Sequence, residues 1–408
     1  MTRTRVGLAI GIAAALAAAS STGAQARSHD ATAAKPLVIG ISLSLSGDFS
    51  DPGKAAMRGY QLWAQEANKR GGVLGRKVVL KIVDDTSSPN QVVTNYQNLI
   101  SRDKVDLVFG PFSTLLTAPA ARVAFRYHYA FVEPAGGGPA VFAEHLGNVF
   151  FVQPAPVISS GDAFVNYILS LPKAKRPKTA AYPSLDDPFS SPIADHMRAA
   201  FEKAGIKTVF KTIYPPETTD LTPIVAKVAA AKPDMVVGGT QSADAYAQIK
   251  SMIQLKFSPK FLFLSNGANS PVEFPSKVGA GNVNGIFSSG DWFPDSKSAG
   301  NPAFVAAYLG KYGGNRLTID SGSAEAYAVG QLIEAVAAKT HSVDNATIIK
   351  TLHQGVWPTI EGNLSWDANG SPKGKDSLVE WVGGKLLPVY PKAVALHAPT
   401  IPKPAWKG

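Results

Sequence analysis

The chain contains no cysteine. That excludes disulfides, and with them the lipidated cysteine that tethers many exported bacterial proteins. Charge is also sparse, at 17% of residues. Basic residues outnumber acidic ones, 40 to 30, yet they are scattered. The densest basic run, "LPKAKRPKT" (Leu171–Thr179), falls at a helix-to-strand turn. A nucleic-acid surface needs clustered cations with interleaved aromatics, so the excess reads as a solvated surface and no nucleic-acid partner is expected. Beyond the N-terminus no run approaches the ~18 consecutive apolar residues a membrane helix requires.

Catalytic punctuation is missing too. There is no G-x-S-x-G elbow and no H-E-x-x-H. The seven histidines (29, 128, 145, 196, 341, 353, 397) contain no i, i+4 pair, which is the spacing that puts two imidazoles on one helix face for a metal. Asp84-Asp85 ends a strand without any companion magnesium motif and reads as a cap. The stretch "SLSGDFSDPGKAA" (Ser44–Ala56) has the strand–loop–helix setting of a phosphate loop. Its Gly47 and Gly53 have one residue too many between them, and Ala55 stands where a magnesium-binding hydroxyl belongs. No enzyme activity, cofactor or metal is therefore expected.

What is present is a leader and a long α/β text. Residues 1–26 carry Arg3 and Arg5, an apolar run to Ala19, and Ala24-Gln25-Ala26. These are the three parts of a secretory signal peptide, with cleavage expected after Ala26. The implied destination is a periplasm-like space or the medium outside the cell. A hydrophobic content of 45% supplies a substantial core.

From Leu37 onward short apolar runs alternate with helix-period segments. Strands are expected at 37–45, 77–83, 105–109, 130–133, 178–182, 207–213, 234–238, 260–264 and 285–289. Helices fall between them, the first near 54–70. In that helix Met57, Tyr60, Trp63, Ala64 and Ala67 recur at spacings of three and four, one buried stripe, so Tyr60 and Trp63 are read as core. Strand–helix alternation means parallel sheets covered on both faces. "VFFVQPAPVISSGDAF" (Val149–Phe164) interrupts the series, a second βα series comes after it, and the C-terminal part reads as strand, Asn-Gly turn, strand, Gly-Gly turn, strand. The fold class is α/β: two doubly wound, Rossmann-like lobes joined by three crossover strands. Residues 36–153 and 290–361 are assigned to the N-terminal lobe, 154–289 and 362–395 to the C-terminal lobe. Such lobes bind ligands outside the carboxyl ends of their strands.

The order and spacing of "LVIGISLSLSGDFSDPGKAAMRGYQLWAQEANKRGGVLGRKVVLKIVDDTSSP", "VDLVFGPFSTLLTAPA", "FVEPAGGG", "KPDMVVGGT" and "GNLSWDANG" resembles type I periplasmic binding proteins of the branched-chain amino acid group. The resemblance implies a monomeric protein whose lobes close on a small solute, a carboxylate, amino acid or amide, and hand it to the permease of an ABC importer. A diffusible sensor presenting its solute to a receptor shares this fold, and a secreted hydrolase is the remaining enzymatic reading.

The resemblance also implies site residues. Ser113 and Thr114, at the start of a helix, suit a ligand carboxylate, because a helix N-terminus offers free amides and partial positive charge. Ala135, Gly136 and Gly137 match the second ligand loop, where three glycines replace the usual hydroxyl. Phe49, Phe189 and Trp292 match cleft aromatics. The family's acid for a ligand ammonium is replaced by Asn266-Gly267, leaving Asp187 or Asp291 to take that role or a ligand without an amine. Crossovers are expected near Gln153, Ser289 and Gly362.

Overall fold

The computed structural model describes residues 34–407, and the expected leader, residues 1–26, lies outside the described residues. The chain runs β1 (Leu37–Leu43), α1 (Ser50–Lys69), β2 (Val78–Asp84), α2 (Pro89–Ser101), β3 (Leu107–Phe109), α3 (Thr114–Arg126), β4 (Phe131–Glu133), α4 (Pro139–Phe142) and β5 (Val149–Phe151). It continues with α5 (Asp162–Ser170), β6 (Thr179–Leu185), α6 (Ser190–Lys203), β7 (Lys207–Tyr214), α7 (Thr222–Ala230), β8 (Met235–Gly238), α8 (Ser242–Gln254), β9 (Phe261–Leu264), α9 (Glu273–Val278) and β10 (Ile286–Gly290). The last part holds α10 (Asn301–Tyr312), α11 (Ser321–Thr340), α12 (Asn345–Leu352), β11 (Trp357–Thr359), β12 (Gly362–Leu364), β13 (Ser377–Val382) and β14 (Lys385–Tyr390).

Two sheets result. The first is a parallel sheet of order β2-β1-β3-β4-β5; the second has order β14-β13-β10-β9-β8-β6-β7. Its β10 is parallel to β9 and antiparallel to β13. Side chains alternate between faces, as a pleated strand requires. Leu107 and Phe109 enter one buried cluster, with α1 and α11, while Val108 enters another, with α2 and α3. A third cluster lies between the second sheet and α7, α8 and α9. Both sheets are thus covered on both faces, which explains the near-continuous apolar strands.

The α1 stripe packs against α11. Tyr60 donates to the Gly110 carbonyl at 3.0 Å, and the Trp63 indole donates to Glu334 at 2.9 Å. Both rings are fully buried, as core residues.

The expected third crossover moves toward the C-terminus. Gly362–Leu364 pairs with Trp357–Thr359 rather than with the second sheet. Leu364 and Trp366 are buried in the cluster of the first lobe, and the Trp366 indole donates to the Phe151 carbonyl at 2.7 Å. The chain enters the second sheet at β13. None of the helices among the described residues is long and apolar enough to cross a membrane.

Candidate functional site

The carboxyl ends of β1, β3 and β4 in one sheet and of β6, β8, β9 and β10 in the other converge on one cavity. Its volume is about 90 Å³, well above the ~10–15 Å³ that a single water needs. Residues before α3, α5, α6, α8 and α11 share its wall.

On the N-terminal side, the loops after β3 and β4 are zipped together. The Ser113 amide donates to the Ala135 carbonyl at 2.9 Å, and Phe112 bridges Ala135. Ser113 sits at φ 75°, the left-handed region that non-glycine residues seldom occupy. Its hydroxyl does not cap α3. It is 2% exposed, lines the cavity, and has no hydrogen-bond partner among the described residues. A buried hydroxyl left unpaired costs about 1–3 kcal/mol, and here a bound solute could relieve that cost.

Ser113, Ala135 and Phe189 line the cavity. The other expected residues stand behind it. Thr114 spends its hydroxyl on the Gly138 amide, 3.0 Å away. The Gly136 amide donates to Glu133 Oε2 at 2.6 Å. The glycines here serve packing: a Cβ on Gly136 would lie 1.9 Å from Thr117 Oγ1, and one on Gly137 2.4 Å from the Phe151 ring. Phe49 is buried behind Phe112, ring centroids 5.8 Å apart, and Phe112 is the aromatic on the wall. Trp292 points into the first lobe, donating to Asn301 Oδ1 at 2.8 Å and meeting Phe304 edge-on.

On the C-terminal side, Asp187 is a cap. Its Oδ1 accepts from the amides of Phe189 and Ser190 at 2.8 and 2.9 Å, which holds Phe189 at the wall. The Gln241 amide nitrogen also donates to it, at 3.3 Å, while Gln241 accepts from Asn266 Nδ2 at 2.9 Å. Asn266 is therefore engaged within its own lobe. Asp291 does reach the cavity.

Asp291 is not alone. Asp51, Asp320, Glu325 and Asp376 also line the cavity, and no Lys, Arg or His does so among the described residues. Burial pushes the Glu325 carboxyl well above its usual range, and the facing Asp291, Glu361 and Asp320 push it further. Burial, then Asp291, does the same to Glu361 and to Asp376. Burial raises Asp320, against hydrogen bonds from Ser270 and the Gly322 amide and the charge of Arg58, which lies outside the cavity wall. Glu361 has no partner for either carboxylate oxygen, nor has Asp376 for Oδ1, among the described residues. These acids are hidden from a sequence reading because they come from separate segments. Glu325 carries a signal: a lone carboxylate on the small, buried stretch "SGSAEAYAVG" of α11.

A family model for periplasmic binding proteins matches residues 36–385. The chain belongs to the periplasmic binding protein family. As a family member it is a solute-binding protein rather than an enzyme. A Leu/Ile/Val-binding protein homolog of Brucella melitensis is 26% identical over 366 residues, covering 88% of this chain and 94% of the relative. The fold is that of a branched-chain amino acid transporter substrate-binding protein from Streptococcus pneumoniae solved with isoleucine: TM-score 0.76, 19% identity, 90% of this chain and 100% of that one. An ABC transporter solute-binding protein from R. palustris, solved with benzoate, aligns with TM-score 0.73 and 21% identity over 91% of this chain and 98% of that one. At these identities the structures establish the two-lobed α/β fold.

Proposed function

We propose that this periplasmic binding protein captures one small polar solute in the inter-lobe cavity and delivers it, as a monomer, to the permease of an ABC importer. Solute docks first at Ser113 and Ala135, and the second lobe then brings Phe189, Gln241 and Asn266 against it. The observation that carries this reading is a walled cavity at the strand ends of both sheets, holding a buried hydroxyl with no partner among the described residues. The family match supports the extracytoplasmic location, and removal of residues 1–26 would leave the mature chain in a periplasm-like space.

A thermal-shift screen with a metabolite library tests the reading. A solute at 100 times its dissociation constant should add about 2.7 kcal/mol of stability. Uptake of that solute by vesicles carrying the importer should then depend on this protein. A library with no stabilising compound contradicts solute capture.

A further inference from the structure

We propose that the solute is an amine of net positive charge, a basic amino acid or a diamine, with a protonated nitrogen lodged among Asp291, Glu325 and Asp376. This rests on the reading of the cavity as the solute site.

The first observation is the imbalance of the wall. Asp51, Asp291, Asp320, Glu325 and Asp376 line a cavity to which no Lys, Arg or His contributes among the described residues. Asp320 is partly committed, accepting from Ser270 and from the Gly322 amide. Asp291 accepts from its neighbouring Trp292 amide and Glu325 from Ser321. None of these donors is a cation. Glu361, 5% exposed, stands beside Asp291 and Asp376 and adds a carboxyl with neither oxygen partnered among the described residues. Carboxylates buried together repel one another unless a cation or protons intervene.

The second observation is independent of charge. Ser113 and Ser160, 2% and 7% exposed, both line the cavity and both hold hydroxyls without a partner among the described residues. Two unsatisfied hydroxyls and an excess of carboxylates together describe a polar, cationic complement. An apolar or anionic occupant would leave the hydroxyls unpaired or add to the repulsion. A solute with a carboxylate as well can set it at Ser113, where the first turn of α3 presents amides, while its distal amine reaches the acids. A diamine uses the acids and leaves the hydroxyls to accept.

Isothermal titration of the full chain with lysine, 1,4-diaminobutane, leucine and benzoate tests this, with the metabolite thermal-shift screen run beside it. The expected result is that lysine or 1,4-diaminobutane binds at least tenfold more tightly than leucine and benzoate. Preference for lysine indicates a basic amino acid, and preference for the diamine a ligand without a carboxylate. The variant D291N should weaken the preferred amine at least tenfold. Because a cavity variant can misfold, E325Q is measured as a second case, and each variant's ligand-free melting is compared with the parent. Leucine or benzoate binding while both amines fail would overturn this inference and leave solute capture standing. Failure of every compound in the library would overturn solute capture itself.

Discussion

Ser270, in the loop after β9, donates a 3.0 Å hydrogen bond to Oδ2 of Asp320, the residue that caps α11 in the other lobe. This bond links the two lobes beside the cavity, whose wall includes both residues. Hydrogen bonds to charged groups contribute about 1.5–3 kcal/mol, so S270A should weaken solute binding about tenfold, mainly through faster dissociation. Stopped-flow measurement of the off-rate checks this. An unchanged off-rate would mean that the bond does not hold the lobes together.

Glu133 predicts a pH dependence of stability. Burial raises its carboxyl to about 8, against hydrogen bonds from the Gly136 and Ala135 amides that lower it. A carboxyl that holds its proton more tightly in the folded chain favours folding fully at low pH. It loses that contribution as pH rises from the ordinary value toward the folded one. The loss should approach about 1.4 kcal/mol per pH unit between about 4.5 and 8. Asp244 and Glu380, both raised by burial to about 7, act in the same direction. E133Q keeps an acceptor for the Gly136 amide but has no proton to lose. Melting temperatures at pH 5 and 8 should therefore fall less in E133Q than in the parent chain.

The glycine loop after β4 makes a packing prediction. A methyl on Gly136 would collide with Thr117 Oγ1 at 1.9 Å, and overpacking of this kind costs about 1–3 kcal/mol. G136A should lower unfolding stability by that amount in urea titrations. T117A/G136A should recover only part of it, because the second change removes Oγ1 but leaves Cβ of residue 117 at 2.4 Å from the new methyl.

How legible these features are in the sequence varies with their range. Local periodicity places the α1 stripe, and Tyr60 and Trp63 pack as that stripe requires. Helix α1 nevertheless begins at Ser50, four residues before the expected 54, because Asp51 and Pro52 suit a first turn. Helix α12 leaves little trace: Asn345–Leu352 is short and rich in β-branched residues, and its main signal is the Asp344 side chain capping Thr347. By pattern alone the β12 segment belongs with the β13 strand of the second lobe, yet it pairs backward with β11.

At the site, the strand ends and the family resemblance point to Ser113, Ala135 and Phe189. They do not separate Phe112 from Phe49, since both lie in loops and only the three-dimensional packing decides which ring covers the other. The acids at 51, 291, 320, 325 and 376 come from α1, the segment after β10, the start of α11 and the segment before β13, and share a cavity only in the folded chain. No periodicity within one segment records that.

The most direct test of the account is titration calorimetry of the S113A variant with the solute that the parent chain binds. The account predicts one site in the parent, an affinity at least tenfold weaker in S113A, and ligand-free melting of the variant equal to or above that of the parent, because the lost hydroxyl leaves behind no partner among the described residues. Equal affinity in the two proteins would contradict the placement of the solute at the tip of α3, and with it the closing cavity.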